Sequence, residues 1–217
     1  MVDTSWLGNG GAAAIVGALV GSIVGGSITG AVQWVVLKHT AFERDQALAR
    51  ALLSKLGRMY SHLQKAHEHL EAAFAMVDPN RHASPSTFVE SFPNTQQRLN
   101  FTEDELGVVL RLGGAELFND LIMRDELHNA ALDILDFYHE RRLGFLDSLA
   151  PVRVQGQIVD IPINETTKRR IIELDGLVAQ VREHIGPDAG RLMNLLQQAA
   201  EAFNRKLKLN YTVMPRR

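Results

Sequence analysis

Two hydrophobic patterns follow one another along the chain. Thirty-four residues, Thr4 to Leu37, pass without a charged side chain, bracketed by Asp3 and Lys38. From Ala12 to Leu37 nearly every position is apolar or small. At about 1.5 Å per residue this stretch predicts roughly 39 Å of helix, enough to cross a hydrocarbon core of about 30 Å. Beyond Lys38 the pattern becomes one-sided. Leu52, Leu56, Met59, Leu63, Ala66, Leu70, Ala73 and Val77 alternate spacings of four and three. This is a heptad seam, and Leu53, Tyr60 and Phe74 widen it toward the face of a bundle helix. No Pro or Gly interrupts 31–56, so the first helix is expected to run into the second and to stop before Pro79.

The later elements follow from start and stop signals. Residues 78–100, with Pro79, Pro85 and Pro93, read as an irregular, mobile linker. Thr102 and Glu105 form a capping box, with Phe101 and Leu106 as its hydrophobic staple, and Gly113-Gly114 is expected to bend or split the helix they start. A stripe of Leu127, Ala130, Ile134 and Phe137, with Ala131 and Tyr138 alongside, predicts a long helix that ends before Pro151. Residues 152–163, centred on Gln155-Gly156-Gln157, suggest a small hairpin or ordered loop. Asn164 can cap a helix carrying Ile171, Leu174, Val178, Val181 and Ile185. Gly186-Pro187 should end it, and a last helix carries Ala189, Leu192, Leu196, Ala199, Phe203 and Leu207. The expectation is an all-α chain. It comprises a short extracytoplasmic tail over 1–11, a transmembrane helix over 12–37, and a cytoplasmic antiparallel bundle of about four long helices over 38–217.

Within 12–37 the small residues are ordered. Ala13, Gly17, Gly21, Gly25 and Thr29 recur every fourth position, and Ala14, Ala18, Ser22, Gly26 and Gly30 make a second row beside them. Ile15, Leu19, Ile23 and the neighbouring valines occupy the opposite face. Such a surface lets two backbones approach closely where lipid supplies no hydrophobic force. The pattern resembles glycine-zipper membrane helices, a motif and not a family, and it implies self-association into a homo-oligomer within the lipid bilayer. Trp6 and Trp34 lie roughly 42 Å apart along a helix, which places both as interface anchors beside Lys38. Lys38, Arg44, Arg50, Lys55 and Arg58 follow the span and no Lys or Arg precedes it. The positive-inside rule then puts the N-terminus outside and the large C-terminal part in the cytoplasm, with a bacterial inner membrane as the expected setting. An apolar run this long, without a positive n-region, does not read as a cleaved signal peptide.

Charge and composition narrow the function classes. With Asp3 set aside, 23 Lys and Arg face 24 Asp and Glu. This balance lacks the basic excess of a nucleic-acid-binding domain. There is no cysteine, hence no disulfide and no thiolate chemistry. His62, His67 and His69 do not share one helix face, so they read as surface histidines and not as a metal site. Asp125 with His128, and Asp136 with His139, lie on one helix about 16 Å apart and cannot share a metal pair within one chain. Asp133, Asp136 and Glu140 read as an ordinary solvated face. Gly8, Gly10 and Ala13 imitate a dinucleotide fingerprint without the preceding strand it requires. No nucleophile elbow, Walker loop or His-Glu-x-x-His is present. The sequence therefore assigns no catalytic residue, cofactor, metal or small-molecule substrate. Its expectation is a non-enzymatic, single-pass protein that self-associates through its span and presents a helical bundle to an unidentified protein partner. The alternative is a membrane effector whose assembled spans perturb the bilayer.

Overall fold

The computed structural model describes residues 9–77, 84–89, 98–149 and 164–213, with side chains from Thr29 onward, Ala31 excepted. Every described element is an α-helix: α1 Asn9–Ala75, α2 Pro85–Phe88, α3 Glu103–Leu112, α4 Ala115–Asp147 and α5 Glu165–Leu207. The chain divides into two compact units, residues 1–47 and 48–217. α1 contributes to both.

In the first unit the backbone is helical from Asn9 without interruption, as the lack of helix breakers after Gly30 predicts. Among the described residues no helix is long and apolar enough to cross a membrane. The expected span falls mostly on residues 12–28, whose side chains lie outside the described set. Trp6, Ala13, Gly17, Ala18, Gly21, Ser22, Gly25 and Gly26 lie outside it too.

The second unit is a bundle built on the heptad seam. Leu52, Leu53, Leu56, Met59, Leu63, Ala66, Leu70 and Ala73 are all buried, so the 4–3 spacing of this stretch marks its inner face. Against it pack α4 and α5. Arg182 of α5 grips Glu71 of α1, and His67 lies against Gly186. Rising numbers on α1 thus meet falling numbers on α5. The same holds between α4 and α5, through Arg124 with Asp188 and Arg141 with Glu173. Both α1 and α4 are therefore antiparallel to α5 and parallel to each other. The expected bundle of about four long antiparallel helices is corrected to three long helices, α1, α4 and α5, and two short ones, α2 and α3. Between α1 and α4 the described residues 84–89 and 98–112 hold the two short helices α2 and α3.

Within the expected linker at 78–100, the described residues 84–89 are tied to the bundle. Ser84 and the Ser86 amide donate to Asp175 of α5, and the Tyr138 hydroxyl of α4 donates to the Val89 carbonyl at 3.0 Å. The capping box of α3 is formed on both sides: the Glu105 amide donates to the Thr102 hydroxyl, and the Thr102 amide donates to the Glu105 carboxylate at 2.8 Å. The break between α3 and α4 falls at Gly114, whose φ of +89° suits glycine. Asn164 caps α5, accepting from the Thr167 amide at 2.7 Å.

Two expectations fail in whole or in part. Gly186-Pro187 does not end a helix: α5 passes through it, with Ile185, Ala189 and Leu192 buried on either side. A mid-helix proline costs about 3 kcal/mol, and an apolar seam continuing on both sides is enough to offset that. On α4 the expected stripe is met in part: Tyr138 is buried and Ala131 and Ile134 pack against the core, but Leu127 and Phe137 lie outside. Leu127 is 39 % exposed and Phe137 40 %, while Leu121, His128, Leu132, Leu135, Tyr138 and Phe145 face the core. α4 has apolar residues on both sides, so periodicity alone could not choose between them. The expected hairpin at 152–163 lies outside the described residues.

Candidate functional site

Two places combine unusual exposure or burial with chemistry. The first is the described end of the uncharged run. Trp34, Val35, Val36 and Leu37 are consecutive, so at about 100° per residue they point all round the helix. Each is more than half exposed, Leu37 by 70 %. Among the described residues no side chain covers this collar. The collar ends at charge: the Lys38 ammonium lies 4.9 Å from the Trp34 ring centroid, and His39 approaches Glu43 at 3.2 Å. Thr40 returns its hydroxyl to the Val36 carbonyl at 2.8 Å, which keeps that polar group within the helix surface. Of the expected packing residues only Gly30 is described, and a Cβ there would meet nothing within 4 Å. Trp34 and Lys38, expected as interface anchors, are brought together.

The second place lies inside the bundle. His128 of α4 is 1 % exposed, and its ring stacks on that of His62 of α1, centroids 5.7 Å apart and planes 25° apart. Neither nitrogen of His128 has a hydrogen-bond partner, and buried Nδ1 of His62, Oδ1 of Asp125 and Oδ1 of Asn129 also lack one. Burial first, and the neighbouring His62 second, push the His128 imidazole down to about 4, with Asn129 acting in the opposite direction. Burial, then Lys65 and Arg58, also lower His62. Burial raises the Asp125 carboxyl, against the pull of the Phe101 amide and Lys55.

Ion pairs frame this layer. Lys55 donates to Glu105 at 2.7 Å and to the Asn100 carbonyl at 2.9 Å. Asp188 accepts from Arg124 and Arg191, each at 3.1 Å. One layer away, Arg182 makes a two-pronged contact with Glu71 at 2.6 and 2.8 Å and lies over Phe74. The hydrogen bond from Arg182 holds the Glu71 carboxyl below its usual range.

Sequence reasoning placed His62 and His128 on the surface or in a discarded metal pattern. The signal that could have found them is spacing, because Leu121, His128, Leu132 and Leu135 keep intervals of seven, four and three, which sets His128 in the inner register. Among the described residues no three metal-ligating side chains converge. Asp136 turns instead toward Arg98, at 3.8 Å, which also pairs with Asp133. The clefts beside Phe137 and beside Arg191 are lined by other residues than the two stacked histidines. No protein-family model, no curated protein and no solved structure matches the chain.

Proposed function

We propose that this chain is a non-enzymatic, single-pass membrane protein that self-associates through the small-residue helix at 12–37 and presents its helical bundle to a protein partner. One observation carries the reading: the uncharged run from Thr4 to Leu37 leads into the uncovered apolar collar at Trp34–Leu37 and stops at Lys38. Water is a poor solvent for such a helix and lipid a good one. The ten Ile, Val and Leu residues nearest the centre contribute roughly −3 to −6 kcal/mol to insertion, and Ser22, Ser27, Thr29 and Gln33 oppose it. A span with so narrow a margin gains from a partner that covers its small-residue face.

The test is fractionation of the full chain expressed in bacteria. It should sediment with membranes, resist alkaline carbonate and dissolve in detergent. Recovery in the aqueous fraction without detergent defeats the reading. In dodecyl maltoside the wild type should run as an oligomer and Gly21→Leu with Gly25→Leu should shift it toward monomer; an unchanged size removes the zipper while leaving the anchor. Sidedness follows from the sequons at Asn100, Asn164 and Asn210, which should stay unmodified in a secretory eukaryotic host if the bundle faces the cytoplasm.

A further inference from the structure

We propose that the His62–His128 stack is an acid-opened latch between α1 and α4: the buried His128 ring is accommodated as a neutral aromatic body, and charging it parts the two helices at that level. The geometry supports this directly. His128 occupies a position of the inner stripe that a leucine would suit, between Leu121 and Leu132, and neither of its nitrogens makes a hydrogen bond, with the neighbouring Asn129 the side chain that favours an added proton. Stacked rings at 5.7 Å cannot both carry charge without repelling across a water-poor layer.

The charges facing the stack do not offer compensation. On α1, Arg58 and Lys65 disfavour a cation at His62. On α4, Asp125 stands one turn before His128, and burial makes its charged form costlier than in water. The acids brought by the other two helices are committed: Glu105 of α3 to Lys55, and Asp188 of α5 to Arg124 and Arg191. An imidazolium formed here therefore gains most by reaching water, and the way to water is separation of α1 from α4.

The sign and range follow. His128 takes its proton at about 4 in the fold and near 6.5 once released, so acid favours the parted state progressively as pH falls from 6.5 toward 4. Asp125 works the other way, since its raised carboxyl takes up a proton in the fold before it would in a released chain. The comparison must therefore be made against a chain that keeps Asp125 and lacks only the imidazoles. Membrane attachment plays no part in the argument, so the latch stands or falls separately from the anchor.

The experiment is thermal unfolding of the full chain in dodecyl maltoside, followed by circular dichroism at pH 7.5, 6.0 and 4.5, for wild type and for His62→Phe with His128→Phe. Between pH 7.5 and 4.5 the wild type should lose about 5–10 °C more in Tm than the variant. Parallel losses overturn the latch. Should the double variant not fold, the wild type alone decides by nuclear magnetic resonance of the imidazole Cε1–H signals with hydrogen exchange corrected for intrinsic rate. At least one imidazole should stay neutral well below pH 6 and then charge as protection over 59–66 and 125–132 is lost. Imidazoles that all charge near 6.5, with protection in both segments kept to pH 4.5, overturn it.

Discussion

Two stretches of α1 carry the same kind of side chain to different fates. At 34–37 Trp, Val, Val and Leu stand exposed on all sides of the helix, whereas from Ala49 to Ala73 the apolar residues of one face are buried against α4 and α5. The backbone makes no distinction and remains α-helical through both. What differs is the arrangement of polar residues. The second stretch interleaves Arg50, Lys55, Arg58 and Lys65 with its leucines, leaving a single face for protein to cover. The first has no polar side to turn outward, so no single-faced packing can satisfy it. One continuous helix thus carries two patterns of exposure.

The largest effect should come from charging the first stretch. Val20→Arg with Val24→Arg adds about 5–7 kcal/mol against insertion, more than the narrow margin can bear. Membrane fractionation should show the protein leaving the pellet, while the unfolding transition of the bundle stays in place; a protein that remains in the pellet breaks the comparison from one side. Truncation in the second stretch should do the reverse. Leu56 is fully buried, and Leu56→Ala should lower bundle stability by about 2–5 kcal/mol in urea titration with no change in sedimentation.

Acid should reach only the second stretch. With the His128 imidazole held at about 4 instead of its ordinary 6.5, its contribution is complete above pH 6.5 and disappears as pH falls to 4, a loss of roughly 3 kcal/mol. Urea midpoints at pH 7.5 and 4, compared with those of His62→Phe with His128→Phe, should show it, and carbonate-resistant attachment at the two values should not differ. The smallest change is Thr102→Ala, which removes one side of the capping box and should cost about 1 kcal/mol, read as earlier exchange of the first-turn amides of α3.

Much of the bundle was legible because its signals are local. The seam of α1, the capping box at Thr102 and Glu105, the glycine break before α4 and the Asn164 cap each depend on residues within a few positions of one another, and each is present. What escaped depends on neighbours distant in the chain. Pro187 survives inside α5 because the seam continues past it, and Gly186 beside it admits the His67 ring, to which a Cβ would come within 2.8 Å. The inner stripe of α4 was hidden because Leu127 and Phe137 imitate it on the outside. The His62–His128 stack joins residues sixty-six positions apart, and no single-helix pattern shows it. The uncharged run that ends at Leu37 is legible from composition, and its last residues, Trp34 to Leu37, are exposed in the structure.

Glu105 has a double engagement whose effect is temporal. The carboxylate that closes the start of α3 also clasps Lys55 of α1, so the two jobs share one group. An isolated ten-residue helix flickers open within microseconds. Tied through that carboxylate to a lysine fifty positions upstream, the first turn of α3 should instead open on the slow clock of the whole bundle, and the shortest of the bundle's multi-turn helices becomes a reporter of its global unraveling.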